Sequence, residues 1–403
     1  MIRGTHTSVQ DVSLYLHIPF CNTKCSYCAF NVYTNMETHY ERYVSALCRE
    51  IEQVAAARPS NHRAAAHTLY IGGGTPSLLE PDQISRLIET CRRAFDLRPN
   101  AEITMEFNPG TLSLAKAQAY REAGVNRVSL GVQSAHQKTL DLFNRGHSFA
   151  DAEVTYSLAR MAGFDNISLD LIYGAPYQTL TEWAATLETV LAWQPEHFSM
   201  YGLTLEPKTA LNAWVQSGRV AAPDDDLAAD MYQLARQKAQ FAGFHHYEIS
   251  NWGLPSQESR HNQQYWASLP YYGFGAGAYG YVNGLRWWVL RPVRHYIERV
   301  EGTTVVEWPR SPATEGFELI DQEMAQAEFL IFGLRQIDAG VSVTEFKERF
   351  GQSLWDVYGD ELLYWKERSF LHLDGDRVRL AESAYLVSNV ILADFMPDTV
   401  DEA

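Results

Sequence analysis

The chain has 403 residues, of which 46% are hydrophobic and 20% are charged, and its formal net charge is −16 at pH 7. This length exceeds the size at which one compact core stops growing, so we expect one large domain and a smaller one. The negative charge repels a phosphate backbone, and no cluster of Lys and Arg with interleaved aromatic residues offers a local exception. We therefore expect no nucleic-acid partner.

Three features predict a cytoplasmic protein with no membrane anchor of its own. No apolar run reaches the roughly 18 residues of a membrane-spanning helix. Residues 1–10 are polar where a secretion signal would carry an apolar stretch. The five cysteines include three within eight positions, which is typical of metal binding in a reducing compartment and not of a disulfide framework.

Short apolar strands alternate with amphipathic helices between about residues 13 and 205, which predicts an α/β fold with a parallel sheet covered by helices. The predicted strands are 13–19, 67–72, 102–108, 127–133, 166–173 and 197–205. The predicted helices are 40–57, 81–95, 113–123, 150–162 and 181–193. Six such units are two short of a closed barrel, so we expect an open, partial (β/α)6 TIM-like barrel whose mouth admits a large ligand.

The sequence after residue 205 does not continue the alternation of strands and helices, so we expect a different organisation there. The stretch 251–290 is aromatic and glycine-rich, and we expect it to be irregular and to form a pocket. The other predicted elements are helices at 226–242, 324–334, 343–349 and 355–368, a strand at 245–249 and a hairpin at 371–380 that turns at Asp374-Gly375. We predict a core barrel over 1–222, a linking region over 223–311 and a smaller C-terminal α+β (helix-plus-hairpin) domain over 312–403.

A CxxxCxxC loop follows the first predicted strand directly, with Cys21, Cys25 and Cys28 as its thiols. Three thiolates can hold a [4Fe-4S] cluster and leave its fourth iron open to a small molecule. A structural zinc would instead need a fourth ligand and more usually shows two separated pairs of ligands. Cys48 and Cys91 are the candidates for that ligand, but both fall within amphipathic helices, where core packing is expected.

Polar residues and glycines recur where the predicted strands end. In parallel barrels these ends meet at one rim, and ligands bind there. The second strand ends in Gly72-Gly73-Gly74-Thr75-Pro76, whose missing side chains let backbone amides approach a ligand closely. The other candidates at this rim are Glu106, Gln133, Arg145 and Asp170, although any one of them alone is equally compatible with a salt bridge or a helix cap.

The CxxxCxxC loop and its place after strand one resemble the radical S-adenosylmethionine superfamily. Five stretches further resemble the oxygen-independent coproporphyrinogen III oxidase family and its haem chaperone branch: LYLHIPFC at 14–21, GGGTPS at 72–77, EFNPG at 106–110, LGVQS at 130–134 and DLIYG at 170–174. The resemblance runs over nearly the entire chain. It implies that S-adenosylmethionine binds the open iron and is contacted by Tyr15, Tyr27, Gly73, Gly74, Thr75, Glu106, Gln133, Arg145 and Asp170.

Two features favour the haem chaperone branch over the oxidases. The oxidases continue the cluster loop with a further Cys, where this chain has Ala29 and Phe30, and they carry a longer segment ahead of the cluster. Residues 260–266, RHNQQYW, match the HNxxYW motif associated with haem binding in the chaperone branch. Since a neutral imidazole is a common axial ligand of haem iron, His261 is the candidate ligand, with His245 and His246 as competitors.

The resemblance therefore implies a haem chaperone that carries a [4Fe-4S] cluster and S-adenosylmethionine and delivers haem to recipient, for example respiratory, haemoproteins. Aromatic residues near the motif would sandwich the porphyrin and an arginine would pair with its propionates; the candidates are Tyr265, Trp266, Trp287, Trp288, Arg260, Arg286 and Arg291. A carrier must release its cargo, so we expect a site open to solvent on one side. Transfer through a homodimer is compatible with the many aromatic residues.

Two other functions remain open at this stage. One is radical decarboxylation of coproporphyrinogen III, the reaction of the oxidase branch. The other is a degenerate barrel that acts only as a protein-interaction scaffold and binds no cluster.

Overall fold

The computed structural model describes residues 10–60, 62 and 64–397, and one twelve-stranded sheet organises most of them. Its centre consists of six parallel strands in chain order. These are β1 (Gln10–Ile18), β2 (Ala64–Gly73), β3 (Glu102–Phe107), β4 (Arg127–Gln133), β5 (Ile167–Tyr173) and β6 (His197–Gly202). The helices of this half are α1 (Tyr40–Ala56), α2 (Pro81–Phe95), α3 (Leu114–Ala123), α4 (Gln137–Leu142), α5 (Phe149–Met161) and α6 (Leu180–Leu191).

The open, partial (β/α)6 barrel predicted from the sequence is confirmed. The two ends of the strand order are different strands that do not pair with each other, so the described sheet does not close. Successive residues of β1 point to opposite faces of the sheet. On one face Leu14, Leu16 and Ile18 are fully buried in the main core, and on the other Tyr15 and His17 line a cavity. Gly124 and Gly163, just past the C-terminal ends of α3 and α5, have positive φ, as is common for glycines that end helices.

The stretch 251–290 is not irregular, and this prediction was wrong. It contains strands that extend the sheet beyond β1 on one side and β6 on the other. The elements from 203 to 319 are α7 (Ala210–Gln216), α8 (Asp225–Phe241), β7 (His245–Glu248), β8 (Asn251–Gly253), α9 (Arg260–Trp266), β9 (Tyr271–Phe274), β10 (Tyr279–Val282), β11 (Leu285–Val289), α10 (Val293–Gly302) and β12 (Thr314–Leu319).

The antiparallel extension, β9 to β12, depends on glycines inside its strands. A Cβ on Gly273 would collide with the backbone of Tyr279, and a Cβ on Gly280 would collide with the Trp287 ring. Glycine usually weakens a strand, so the pattern argues against strands in the sequence. Here it lets large aromatic side chains cross the neighbouring strand.

A small C-terminal domain follows the extension, and its helices and hairpin are confirmed. Its elements are α11 (Gln322–Gly333), β13 (Val341–Ser342), α12 (Val343–Phe350), α13 (Leu354–Glu367), β14 (Leu371–Asp374), β15 (Arg377–Leu380) and α14 (Ser388–Ala393). The hairpin turns at Gly375, which has a positive φ, and β13 adds a third strand to it. The boundaries 1–222, 223–311 and 312–403 stay predictions, and β12, which follows residue 312, pairs within the large sheet.

Glu50 of α1 connects this helix to the antiparallel extension. Its side chain is fully buried and accepts hydrogen bonds from the backbone N–H of Gly275 at 2.8 Å and from the Tyr296 hydroxyl at 2.6 Å. The Ser311 hydroxyl is a third donor. One carboxyl group therefore satisfies three buried donors from separate segments.

We expect Glu50→Ala to lower the free energy of unfolding by roughly 2–4 kcal/mol, because three buried donors lose their acceptor. Urea denaturation followed by circular dichroism measures the change. Glu50→Gln is the matched control, since it keeps the volume and an acceptor oxygen. An alanine variant with the urea midpoint of the wild type would contradict this role.

Stability should also depend on pH through Glu50. Burial raises the pKa of this carboxyl group from 4.5 to about 7. Between these values the folded protein keeps a proton that the unfolded chain releases, so the stabilisation is complete below pH 4.5 and is lost as pH rises to about 7. We expect the urea midpoint of the wild type to fall across this window, and that of Glu50→Gln to fall less.

Candidate functional site

A cavity of about 730 Å³ opens where the central strands end, and we call it the cluster cavity. It contains most of the site residues predicted from the sequence. Those that line it are Cys21, Cys25, Tyr27, Cys28, Gly73, Gly74, Thr75, Glu106, Gln133, Arg145 and Asp170. The fold thus brings eleven of the thirteen predicted residues to one rim, and Tyr15 and His261 lie elsewhere.

The cluster loop, residues 21–28, is held in place through buried Ser26. The Ser26 backbone N–H donates to the Phe143 carbonyl at 2.9 Å and its hydroxyl donates to the Leu142 carbonyl at 2.7 Å. The Ser26 carbonyl accepts from the Leu211 backbone N–H at 2.8 Å. The loop between the cysteines is therefore anchored to α4 and α7, while the three thiols remain partly exposed at the cavity.

The thiols have neighbours suited to a negatively charged sulfur. The Thr75 hydroxyl donates to Cys21 Sγ at 3.5 Å, and Arg145 Nη1 donates to Cys25 Sγ at 3.4 Å. Without a metal, burial raises the pKa of Cys21 and raises the pKa of Cys28 to about 11. A bound cation would favour the thiolate form of both residues.

The donor set fits a cubane cluster better than a single metal ion. In the part of the chain that the structure describes, no three His, Cys, Asp or Glu side chains stand close enough to share one ion. The thiolates of a cluster bind different irons and can stand farther apart. Cys48 of α1 and Cys91 of α2 do not line this cavity, so neither is placed to supply the fourth ligand that zinc would need.

The ends of β1 and β2 approach so closely that only glycine fits between them. The Gly74 backbone N–H donates to the Ile18 carbonyl at 2.8 Å, and a Cβ on Gly74 would lie 2.6 Å from the Phe20 carbonyl oxygen. Gly73 has a φ of +109° and faces the His17 ring. The chain therefore tolerates no side chain at these two positions, which lead into Thr75 beside Cys21.

Two carboxyl groups form one wall of the cluster cavity. Glu106 accepts hydrogen bonds from the Gly73 backbone N–H and the Tyr70 hydroxyl, both at 2.9 Å. Asp170 accepts from the Ser129 hydroxyl at 2.8 Å. Burial, and next the charge of Asp170, raises the pKa of Glu106 to about 7. This wall can accept hydrogen bonds from the hydroxyl or amino groups of a ligand.

Arg145 brings a positive charge to the cluster cavity. Besides Cys25, its guanidinium donates to the Gly131 carbonyl at 3.1 Å and to the Asn108 side chain. Gln133 has a positive φ of 66° at an irregularity between β4 and β5. A non-glycine residue in this conformation is uncommon, and such strain concentrates at functional sites.

Tyr15 lines a second cavity of about 590 Å³, which we call the aromatic cavity. Its hydroxyl lies 2.9 Å from His17 Nδ1, and its ring stacks at 6.2 Å on Tyr70, which lines the cluster cavity. Ala29 and Phe30, directly after the cluster loop, line both cavities. Tyr15 is therefore separated from the other predicted S-adenosylmethionine residues by one ring, and its predicted contact stays a prediction.

His261 is buried, with 2% of its surface exposed, and lines neither cavity. Its Nδ1 lies 2.8 Å from the Thr68 hydroxyl and its Nε2 lies 2.9 Å from the Tyr265 hydroxyl, so both ring nitrogens have partners. Burial lowers the pKa of His261 to about 3, which keeps the imidazole neutral. The structure therefore does not present His261 as an iron ligand, because binding would require the loss of one of these bonds.

The competing histidines lie away from the cavities. His245 pairs with Asp338, and His246 stacks on Trp252 with ring centroids 4.2 Å apart. The helix α9 that carries the HNxxYW motif contributes to both cavities through other residues: Asn262 lines the cluster cavity and Tyr265 lines the aromatic cavity.

Sequence reasoning missed several residues of the cluster cavity. Tyr70 lies two positions before Gly72 on β2 and so shares a strand face with the first recognised glycine, and Asn108 lies within one of the recognised stretches, so both had a signal. Tyr201 lies at the C-terminal end of β6, on the same strand face as Ser199, so it also had a signal, whereas Arg127 begins β4 and had none.

Comparison with known proteins places these features in a family. Residues 15–190 match the Radical SAM superfamily and residues 320–387 match the HemN C-terminal domain. A Bacillus subtilis protein named heme chaperone HemW is 36% identical over 387 residues, a match that covers 95% of this chain and 99% of that one. The Bos taurus protein named radical S-adenosyl methionine domain-containing protein 1, mitochondrial, is 33% identical, with 95% and 87% covered.

A solved structure shows the same fold. Coproporphyrinogen III oxidase (HemN) from Escherichia coli superimposes with a TM-score of 0.82 and 22% identity, over 96% of this chain and 90% of that one. The α/β fold with its C-terminal domain is thereby shown. None of the described helices has the length and apolar character needed to cross a membrane.

We expect Gly74→Ala to displace the cluster loop, since its Cβ would meet backbone atoms of Phe20 and Ile18 at 2.6 and 2.7 Å. Such overpacking costs roughly 1–3 kcal/mol of stability. The midpoint temperature of thermal unfolding and the iron content after anaerobic reconstitution should both decrease. Gly359→Ala in α13, where nothing lies within 4 Å of the added Cβ, is the control and should lower neither, since Ala is the better helix former. Equal iron content in the two variants would contradict the role of Gly74.

Proposed function

Because the chain belongs to the HemW haem chaperone family of the radical SAM superfamily, we propose that it binds haem and delivers it to a recipient haemoprotein. The observation that carries the proposal is the 36% identity to a heme chaperone HemW over essentially the whole of both chains. The HNxxYW stretch on α9, which touches both cavities, supports it. We place the protein in the cytoplasm, where soluble recipients, or membrane-bound ones through their exposed faces, can be reached.

The radical SAM family implies a [4Fe-4S] cluster and S-adenosylmethionine. We propose that Cys21, Cys25 and Cys28 hold the cluster at the cluster cavity. When bound and reduced, such a cluster would supply an electron for cleavage of the sulfonium of S-adenosylmethionine, as the radical SAM family implies. The chain's part is to anchor the thiols through Ser26 and to balance their charge with Arg145.

The remaining cavity residues would orient the cosubstrate. The backbone at Gly73, Gly74 and Thr75 lines the cluster cavity and would contact its methionine portion. Glu106 and Asp170 are acceptors for hydroxyl and amino groups, and Gln133 and Tyr27 complete the walls. This assignment agrees with the family resemblance residue by residue, apart from Tyr15.

We expect anaerobically reconstituted wild-type protein to hold about four irons per chain, as a [4Fe-4S] cluster requires. Cys25→Ala should lose most of this iron, because it removes one of three ligands. Cys48→Ala is the matched control, since Cys48 lies in α1 away from the cavity, and it should keep its iron. Zinc in place of iron, or equal iron in both variants, would overturn the cluster assignment.

The haem proposal predicts stoichiometric binding and release. Titration of haem into the purified protein should give a saturable Soret absorbance at about one haem per chain, and added apomyoglobin should acquire that haem. The rival activity is tested in parallel by anaerobic incubation with coproporphyrinogen III, S-adenosylmethionine and a reductant, followed by mass spectrometry. Loss of carboxyl groups from the porphyrinogen would establish the oxidase and replace the chaperone proposal.

A further inference from the structure

The aromatic cavity lies between β1 and the antiparallel extension, outside the cluster cavity. Six aromatic side chains line it: Tyr15, Phe30, Tyr265, Tyr271, Tyr279 and Trp288. Its volume of about 590 Å³ falls within the range of cavities that bind small organic molecules. Flat rings on several sides favour a flat apolar ligand.

Two pairs of rings give this cavity its shape. Tyr265 meets Tyr271 edge-on with centroids 4.7 Å apart, and Tyr279 lies against Trp288 with centroids 6.2 Å apart. Phe30 and Tyr279 are 67% and 53% exposed, so they form the side that opens to solvent. A ligand can therefore enter and leave without unfolding the extension, as a carrier requires.

Only one of the three candidate arginines is positioned to meet a carboxylate in this cavity. Arg286 already pairs with Glu318 and Glu328. Arg260 donates to the backbone carbonyls of Asn100 and His67, away from both cavities. Arg291 lines the aromatic cavity, and within the described residues its guanidinium makes no hydrogen bond or ion pair.

The backbone of Arg291 is fixed although its side chain is available. Its carbonyl accepts hydrogen bonds from Asn31 Nδ2 at 2.9 Å and from the Tyr33 hydroxyl at 3.0 Å. Glu315, an exposed acid, also lines the cavity and forms no ion pair with Arg291 in the described structure. A ligand carboxylate would be repelled by Glu315 and attracted to Arg291, which orients the ligand.

His261 contributes to this cavity indirectly. Its Nε2 is hydrogen-bonded to the hydroxyl of Tyr265, and the two rings meet edge-on at 5.1 Å. The other ring nitrogen is bonded to Thr68 of β2, and the His261 backbone N–H donates to Glu102 of β3 at 3.0 Å. His261 thus fixes the orientation of a tyrosine that forms the cavity wall.

We propose that the aromatic cavity is where the porphyrin binds, with a propionate on Arg291, and that His261 is a positioning residue that acts through Tyr265. The inference rests on the proposed function, since it assumes that haem is the cargo. In this proposal the HNxxYW motif forms part of the wall of the porphyrin site and does not supply an iron ligand.

The first test compares two exposed arginines of equal charge. Haem titration should show binding weakened about tenfold in Arg291→Ala, the loss expected for one charge-assisted hydrogen bond. Arg294→Ala, three residues along in α10 and outside both cavities, should bind as the wild type does. With haem dimethyl ester, which has no free carboxylate, the wild type and Arg291→Ala should bind equally.

A second exposed position tests the wall. Tyr279→Ala should weaken haem binding by about threefold to tenfold, because one aromatic contact is lost. Tyr364→Ala in α13, of similar exposure at 46%, is the control and should not change binding. Haem binding unchanged in both Arg291→Ala and Tyr279→Ala would overturn the proposal while leaving the chaperone function intact, whereas a wild type that binds no haem would overturn both.

The role of His261 is tested by comparison with Tyr265→Phe, which removes one oxygen and keeps the ring. We expect His261→Ala and Tyr265→Phe to weaken haem binding to the same extent, without additivity in the double variant and with an unchanged Soret maximum. His261→Gln, which can still bond to Tyr265, should restore binding. A Soret maximum that shifts in His261→Ala but not in Tyr265→Phe would identify His261 as the iron ligand and overturn the positioning role.

Discussion

The parallel pairing of β1 along both of its edges is the constraint on which the rest of the structure depends. One edge pairs with β2 and the other pairs with β9, a strand more than 250 positions later in the chain. The first pairing brings the glycines of β2 next to Cys21, and the second places the antiparallel extension beside Tyr15 and His17. Both cavities are therefore built on the two edges and the inner face of a single strand.

The parallel half of the fold could be predicted because its local and global patterns agree. The strands are buried on both faces, so they appear as short apolar runs, and the helices between them keep their periodicity. The extension lacked such a signal. Its strands are four to six residues long and three of the four contain a glycine, and their stability comes from aromatic contacts across strands that no local pattern encodes.

The same distinction applies to the candidate site. Cys21, Cys25 and Cys28 lie within one loop of eight residues, so their closeness in space follows from the sequence alone. Three thiols at one cavity could therefore be predicted. The place of His261 could not, because it depends on Thr68 of β2 and Tyr265 of its own helix filling both sides of the ring. The presence of a histidine in a motif suggests a metal ligand, but the hydrogen-bond partners of its ring determine its role.

Asn31 connects the two cavities in a way that has a thermodynamic consequence. Its side chain donates to the carbonyls of Ala276 and Arg291, and its own carbonyl lies 2.9 Å from His17 Nε2, only three residues after Cys28. Ala29 and Phe30 of the same segment line both cavities, so a displacement of this segment by an occupant of one cavity would alter the wall of the other. Any free-energy coupling between the two occupants must be equal in both directions. A ligand in the aromatic cavity would then change the affinity of the cluster cavity for its own ligand by the same factor as the reverse.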